Sequence, residues 1–174
     1  MADRLTGPSR RRLLWSLALG AAAVAAGVGL AVVPPAARAP REPLRALTER
    51  SFAVLAAVAD RVCPGGPGLP DAWELEVPEK VDAVLARLHP ANATDLHRAL
   101  LLLDNPLAGL LLDGRPATFT RASDETRDRI LASWRTSRLQ VRRASYQAIV
   151  GLVSAAYWSD PRTFAHLGYS RVGG

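Results

Sequence analysis

The spacing of apolar residues predicts that the chain folds as helices after residue 47. Apolar residues recur every three or four positions after Thr48, which is the period of an amphipathic helix; they are Phe52, Leu55, Ala56, Ala59 and Val62. Thr48 is suited to cap this helix, and Leu47 before it to pack on Phe52. The run from Cys63 to Gly68 contains two prolines and three glycines and ends the helix.

Two further helices are predicted in the middle of the chain. An acidic loop around Trp73 runs to about Val77, and Pro78 then suits the first turn of a helix, where its missing N–H is no loss. Its predicted apolar face is Val81, Val84, Leu85 and Leu88, and His89 and Pro90 end it, with His89 in a capping role. The next helix is expected to begin near Asn92 or Thr94 and to break or kink at Pro106. Its apolar residues are Leu96, Leu100, Leu103, Leu107 and those at 110–112, and a turn is expected at 113–116.

The sequence pattern in the last third of the chain predicts two more helices, followed by a C-terminal segment rich in aromatic residues. Ser123 is suited to cap a long helix that carries Ile130, Trp134, Ser137 and Val141 on one side. Arg135, Arg138 and Arg142 form a separate stripe at helical spacing. A further helix carries Tyr146, Ile149, Val150, Val153 and Tyr157, and a turn at 159–162 leads to Phe164 and Tyr169.

These patterns predict an all-α protein, because no segment alternates apolar and polar residues for long enough to require a strand. We expect one compact domain of about five helices over residues 48–170. Residues 40–47, which contain Pro40 and Pro43, are interpreted as a linker.

Residues 1–39 have the layout of an export signal. Ser9 and the arginines Arg10, Arg11 and Arg12 precede Leu13 and Leu14, and the apolar run 13–33 has no charged residue. An arginine pair before a weakly hydrophobic run rich in alanine and glycine is typical of the twin-arginine route. That route carries proteins that fold before they cross the membrane, and Arg10 and Arg11 are the pair that it would read.

Two alternatives remain open for this segment. A simple signal anchor with a basic cytoplasmic end obeys the positive-inside rule equally well. Ala37-Arg38-Ala39 offers a small-x-small cleavage pattern, but Pro40 would follow the cut and hinder signal peptidase. We therefore expect a periplasmic protein that is either released by cleavage or held at the inner membrane by its N-terminal segment.

The charge and the cysteine content of the chain narrow the class of protein to which it can belong. The formal net charge is +6, but five arginines and a single acid lie in residues 1–39, so the remainder carries 17 basic and 15 acidic side chains. A nucleic-acid-binding domain is normally far more basic. Cys63 is the single cysteine, so it is expected to be either buried and inert or bonded to another chain.

No catalytic, metal-binding or cofactor-binding pattern is present. His89, His97 and His166 lie far apart and lack a metal-ligand spacing. The chain has neither a Gly-x-Ser-x-Gly elbow nor a glycine-rich dinucleotide fingerprint. We therefore predict a protein that is not an enzyme and binds no cofactor.

In its order of motifs the chain resembles the gluconate 2-dehydrogenase subunit 3 family over about residues 47–170. Asp60-Arg61-Val62-Cys63-Pro64 is similar to the family's Asp-x-[Ile/Val]-x-Pro before a glycine-containing loop, and Val81–Leu85 to its short apolar helix bearing an Asp. The most specific part is the ending, with Tyr157-Trp158-Ser159-Asp160-Pro161 followed by Leu167-Gly168-Tyr169. The loop after Pro64 is longer and richer in proline than is usual in the family.

The resemblance implies an accessory subunit with no chemistry of its own. Its partner would be a flavin-dependent sugar or alcohol dehydrogenase of the glucose-methanol-choline type, which holds FAD, lacks its own signal and leaves the cytoplasm bound to this chain. A cytochrome c subunit often accepts the electrons in such complexes. The alternative is a free-standing, membrane-anchored helical domain with a structural or binding role.

The candidate residues for binding a partner come from two features. One is the aromatic C-terminal segment with Tyr157, Trp158, Phe164 and Tyr169, and the other is the stripe of Arg135, Arg138 and Arg142. Aromatic residues and arginine are enriched where binding energy concentrates. The opposing interpretation is that the aromatics close the domain's own core while the arginines face water. Cys63 is a separate candidate, for a covalent bond to the partner.

Overall fold

The computed structural model describes residues 39–107, 110 and 118–164, and this part of the chain is all-helical. It comprises α1 (Glu49–Val62), α2 (Val77–Leu85), α3 (Pro90–Leu103), a 3-10 turn (Phe119–Arg121), α4 (Asp124–Arg135), α5 (Gln140–Trp158) and α6 (Pro161–Phe164). Within the described ranges the one β-type pairing is an isolated bridge between Gly66 and Leu69. The prediction of an all-α protein is confirmed.

Helix α1 lies at the centre of the described fold. Every residue from Ser51 to Ala59 is buried, and α2, α3, α4, α5 and the 3-10 turn all pack against it. The sequence predicts only one apolar face here. This stretch is buried on every side because alanines fill the positions between the large side chains and allow neighbours to approach closely.

The predicted ends of α1 are confirmed. Thr48 is the N-cap: its Oγ1 accepts from the N–H of Ser51 at 3.3 Å, and the Ser51 Oγ accepts from the N–H of Thr48 at 3.0 Å. Leu47 and Phe52 are both buried in the core. At the other end the helix stops at Val62, immediately before Cys63 and Pro64.

Asp82 on α2 fixes the irregular segment that leads into α1. Its carboxylate accepts three backbone N–H groups, from Arg45 at 2.7 Å, Ala46 at 3.0 Å and Leu47 at 2.7 Å. Asp82 itself is buried, and a buried carboxylate needs such donors because it has lost its water. The described part of the segment predicted as a linker is therefore tied to the folded domain at residues 45–47.

Two details of the middle helices differ from the sequence prediction. Helix α2 ends at Leu85, before Leu88. Val84 lies within the helix but outside its buried face, which includes Val81 and Leu85, and Val84 and Leu88 are each 43% exposed. Helix α3 begins at Pro90, earlier than predicted, because Pro90 occupies the first turn and His89 is the cap. His89 is a cap, as predicted, but at the start of α3 rather than at the end of α2: its Nδ1 accepts from the N–H of Ala91 at 3.2 Å.

The prediction of a helix that continues from Ser123 past Ser137 is wrong. Ser123 is at the N-cap position of α4, but α4 ends at Arg135, and α5 starts only at Gln140. Local polar bonds stabilise the intervening turn: the Ser137 Oγ accepts from the N–H of Leu139, and the guanidinium of Arg143 donates to the Ser137 carbonyl oxygen. Serine readily competes in this way with helical hydrogen bonding.

Some predictions concern residues outside the described ranges. They are the export signal with Arg10 and Arg11, the turn at 113–116, His166 and Tyr169. Among the described helices, none is long and apolar enough to cross a bilayer.

We expect Asp82→Ala to lower the free energy of unfolding by about 2–3 kcal/mol, because three backbone N–H groups lose a charged acceptor. Urea unfolding followed by far-UV circular dichroism measures the change. Asp95→Ala, which removes an exposed carboxylate on α3, is the matched control and should change stability by less than about 0.5 kcal/mol. Equal effects of the two substitutions would contradict the anchoring role of Asp82.

Candidate partner-binding site

The loop between α1 and α2 is held rigid by its own polar groups. The N–H of Ala72 donates to the Cys63 carbonyl at 3.0 Å, and the Asp71 Oδ1 accepts from the N–H groups of Trp73 and Glu74 at 2.8 and 2.7 Å. Gly65 has φ +70°, and a Cβ there would lie 2.9 Å from the backbone nitrogen of Asp71. The position therefore requires glycine, and the carboxylate of Asp71 is used inside the loop.

Tyr157 joins the end of α5 to this loop. The side chain is buried, and its hydroxyl donates to the carbonyl oxygen of Pro70 at 2.8 Å. Burial raises the pKa of Tyr157 above its ordinary value, and the nearby Cys63, Asp71 and Glu74 add to the effect. The hydroxyl therefore stays protonated and serves as a structural donor.

Asp160 makes the second connection between the C-terminal segment and the region of the loop and α2. Its carboxylate accepts from the Lys80 Nζ at 2.6 Å and from the Arg162 Nε and Nη2 at 3.0 and 2.9 Å. The hydrogen bonds from Arg162, followed by those from Lys80, hold the pKa of Asp160 well below its ordinary range. Arg162 also donates to the carbonyl oxygen of Glu74 at 3.3 Å. The carboxylate thus connects α2, α6 and the loop.

A third cluster holds the end of α1 against α4. Arg61 donates to both carboxylate oxygens of Asp128, at 2.8 and 2.7 Å, and lies 2.9 Å from Asp124. The hydrogen bonds with Asp128 raise the pKa of Arg61 and lower the pKa of Asp128. The bidentate pair links the end of α1 to α4.

These contacts bring together the three motifs on which the family resemblance depends. The segment from Asp60 to Pro64 opens the loop, α2 carries Asp82 and Lys80, and the C-terminal motif supplies Tyr157 and Asp160. Polar residues of the three motifs therefore fix the domain's own segments in place.

The candidate aromatics are divided between the interior and the surface. Tyr157 is buried, whereas Trp158 is 42% exposed and Phe164 is 41% exposed. The Trp158 ring lies edge-on to the Tyr157 ring, with 5.0 Å between the centroids. Trp158 and Phe164 are the two C-terminal aromatics that the structure leaves accessible among the described residues.

The predicted arginine stripe does not exist as one helix face. Arg135 ends α4, Arg138 is exposed in the turn before α5, and Arg142 is buried. The Arg142 guanidinium lies 5.2 Å from the centre of the Trp134 ring and donates to the Ser133 Oγ at 3.1 Å. Only Arg135 and Arg138 are therefore available to a partner.

Cys63 is buried, and burial raises the pKa of its thiol to about 11. A thiol in this environment is almost entirely protonated at neutral pH and reacts poorly. Of the two alternatives that the sequence left open, the structure favours the buried and inert cysteine.

Sequence reasoning missed the structural importance of several residues. Lys80 stands out as the single lysine of the chain, and Asp82 as a carboxylate within the apolar stretch 81–85. Both features are visible in the sequence, but the hydrogen-bond partner of Lys80 lies 80 residues away and those of Asp82 about 36 residues away. Within the described ranges, no group of three His, Cys, Asp or Glu side chains is arranged to hold a metal ion.

The described part is thus a small all-helical domain whose buried charged groups hold its own segments together. The gluconate 2-dehydrogenase subunit 3 family matches residues 49–174, and the chain belongs to this family. No curated protein matches the chain significantly. No solved structure does so either.

We expect the Cys63 thiol to react with iodoacetamide at least roughly tenfold more slowly in the folded protein than in urea, because the thiol is buried and protonated. Gln147→Cys adds an exposed reference thiol on α5, and mass spectrometry of peptides reports both sites in one sample. Equal labelling rates at the two cysteines in the folded protein would contradict the buried assignment.

Acid should destabilise the protein partly through Asp160. Because its pKa is lower in the folded than in the unfolded state, its contribution is fully present above about pH 4 and is lost as the pH falls towards 2. We expect the wild type to lose more stability between about pH 5 and pH 2 than Asp160→Asn does. Urea unfolding midpoints at the two pH values measure this, and identical losses would show that Asp160 is not coupled to folding.

Proposed function

We propose that this chain is a non-catalytic accessory subunit that escorts, exports and stabilises a flavin-dependent dehydrogenase of the glucose-methanol-choline type. The partner would hold FAD and oxidise a sugar or an alcohol, and a cytochrome c subunit would take the electrons. Membership of the gluconate 2-dehydrogenase subunit 3 family supports a role within a dehydrogenase complex. The structural use of Asp71, Asp82 and Asp160 also supports it, because these carboxylates are occupied by the chain's own donors.

The observation that carries the proposal is the exposed Trp158 on a fixed backbone. Its neighbour Tyr157 is buried and bonded to Pro70, and Asp160 two residues later is bonded to Lys80. The tryptophan therefore cannot turn inward without breaking both contacts. Tryptophan presented on a rigid scaffold is enriched among the residues that dominate binding energy, since little conformational entropy is lost when it binds.

The exposed arginines lie at the other end of α5. Arg138 precedes the helix and Trp158 ends it, so about 28 Å of helix separates them. A partner that contacts both would have to cover the length of α5. Such an interface would have an aromatic anchor at one end and a charged rim at the other, as protein interfaces commonly have.

The export part of the proposal rests on the sequence of the N-terminal segment. Arg10 and Arg11 precede the apolar run 13–33, which has no charged residue. The twin-arginine route, which such a segment would use, carries folded cargo. We therefore propose a periplasmic location, with the N-terminal segment either cleaved or kept as an inner-membrane anchor.

We expect Trp158→Ala to weaken binding of the flavoprotein by about 2 kcal/mol or more, which is roughly a thirtyfold loss of affinity. The test is co-purification through a C-terminal tag, with flavin absorbance as the readout of bound enzyme. Arg138→Ala is expected to act in the same direction. Far-UV circular dichroism should remain helical for both variants.

Val84→Ala is the matched control, because Val84 is an exposed apolar residue on α2. It should retain the full yield of flavoprotein. If Trp158→Ala and Arg138→Ala both retained it as well, this surface would not be the interface. Recovery of the wild-type chain without any flavoprotein would instead support a free-standing, membrane-anchored domain.

A further inference from the structure

Residues 41–47 follow the predicted export signal and form a strap that contains no helix or strand. Asp82 on α2 binds the end of the strap that leads into α1, through the N–H groups of residues 45–47. The other end is held by contacts between Arg41 and the loop before α2. Because both ends are bound, the strap is part of the folded domain.

Arg41 contacts the loop in three ways. Its Nη1 donates to the Glu76 carboxylate at 2.7 Å, and its Nη2 donates to the carbonyl oxygen of Trp73 at 3.2 Å. The guanidinium also lies over the Trp73 ring, 4.8 Å from the ring centre. A single exposed ion pair stabilises little, but here charge, a carbonyl and an aromatic face act on one side chain. We call these contacts the Arg41 clamp.

The loop presents Glu76 to Arg41 from a fixed backbone. Glu76 has φ 54°, in the left-handed region that residues other than glycine rarely adopt. The N–H of Glu76 donates to the carbonyl oxygen of Trp73 at 3.1 Å, and the N–H of Val77 donates to that of Ala72 at 2.9 Å. A conformation of this kind persists only where its surroundings enforce it. The acceptor for the Arg41 guanidinium is therefore held in place by the loop itself.

Arg41 is the second residue after the peptide bond that a signal peptidase would cut. The small-x-small pattern at 37–39 places this bond between Ala39 and Pro40. Proteases cut backbone that is exposed and free to adopt the shape of the active-site cleft. The clamp uses the side chain of Arg41, and the Arg41 N–H also donates to the Glu79 carboxylate at 3.5 Å. The bond can therefore be cut in the fraction of molecules whose clamp is open.

We propose that the Arg41 clamp protects the bond between Ala39 and Pro40 from signal peptidase, so that the chain keeps its N-terminal segment as an inner-membrane anchor. The inference rests on the proposed twin-arginine export, because that route delivers a folded chain whose clamp is already closed. On a route that carries unfolded chains, the peptidase would meet the same bond with the strap unbound. A dehydrogenase bound to the anchored chain would be kept at the membrane.

Digestion of the purified full-length chain in detergent by a purified bacterial signal peptidase tests the clamp without relying on export. Every chain carries Pro40→Ala, because proline after the cut hinders the peptidase by itself. Adding Glu76→Arg should speed the loss of residues 1–39 at least roughly tenfold, because cutting follows the population of open clamp. Glu76 lies 37 positions after the cut, so the substitution leaves the sequence that the peptidase reads unchanged.

Glu125→Arg in the same Pro40→Ala background is the matched control, because it reverses an exposed charge on α4. It should leave the rate of cutting unchanged, and far-UV circular dichroism should show both charge reversals to be equally helical. Equal rates of cutting with and without Glu76→Arg would overturn the proposal. Rapid cutting of the chain that carries Pro40→Ala alone would overturn it as well.

Fractionation of cells that express the wild-type chain with a C-terminal tag tests the anchor. We expect the intact mass of the uncut chain in the membrane fraction, with the tag open to added protease in spheroplasts. A chain that lacks residues 1–39 and is released into the periplasm would overturn the anchor while leaving export intact. A tag that stays protected inside the cell would instead contradict export, and the digestion of the purified chain would then decide whether the clamp protects the bond.

Discussion

The burial of residues 51–59 in the middle of α1 is the constraint on which the described fold depends. Since this stretch has no face left for solvent, every neighbouring element must be held close to it, including segments that have no regular structure. Buried carboxylates do much of this work. Asp82 binds the backbone of residues 45–47, Asp104 binds the N–H and hydroxyl of Thr120 at 2.9 and 2.8 Å, and Asp160 binds Lys80. Each carboxylate holds an irregular or terminal segment against the helical shell.

The buried carboxylates of the described part are bound by donors of the chain itself. A general acid or base needs a carboxyl group whose proton can be exchanged with a substrate. Asp160 instead has its pKa held down by Arg162 and Lys80, and Asp82 has backbone donors on both oxygens. What the rigid scaffold offers is a fixed surface, with Trp158 exposed between two anchored neighbours. This structural use of charged groups is consistent with a subunit of a dehydrogenase complex.

Local signals in the sequence predicted local features well. The cap at Thr48, the helix end at Cys63 and Pro64, and Pro78 in the first turn of α2 all depend on residues within a few positions of each other. The failures arose where distant contacts decide. The helical spacing of apolar residues continues through Ser137 in the sequence, but side-chain bonds to the backbone stabilise a turn there. As a result Arg138 is exposed in the turn, whereas Arg142 is buried in α5. Likewise, nothing near Lys80 in sequence indicates that its partner is Asp160.

The most direct test of the account is where the dehydrogenase accumulates in cells that express Arg10→Lys together with Arg11→Lys. The double substitution preserves charge, so a route that reads charge alone would tolerate it, whereas the twin-arginine route would not. Fractionation followed by an assay of flavin-dependent dehydrogenase activity, with the wild-type chain as the reference, gives the answer. The account predicts that this chain and the enzyme both remain in the cytoplasm. Normal appearance of the enzyme in the periplasm would contradict export of the complex by the twin-arginine route.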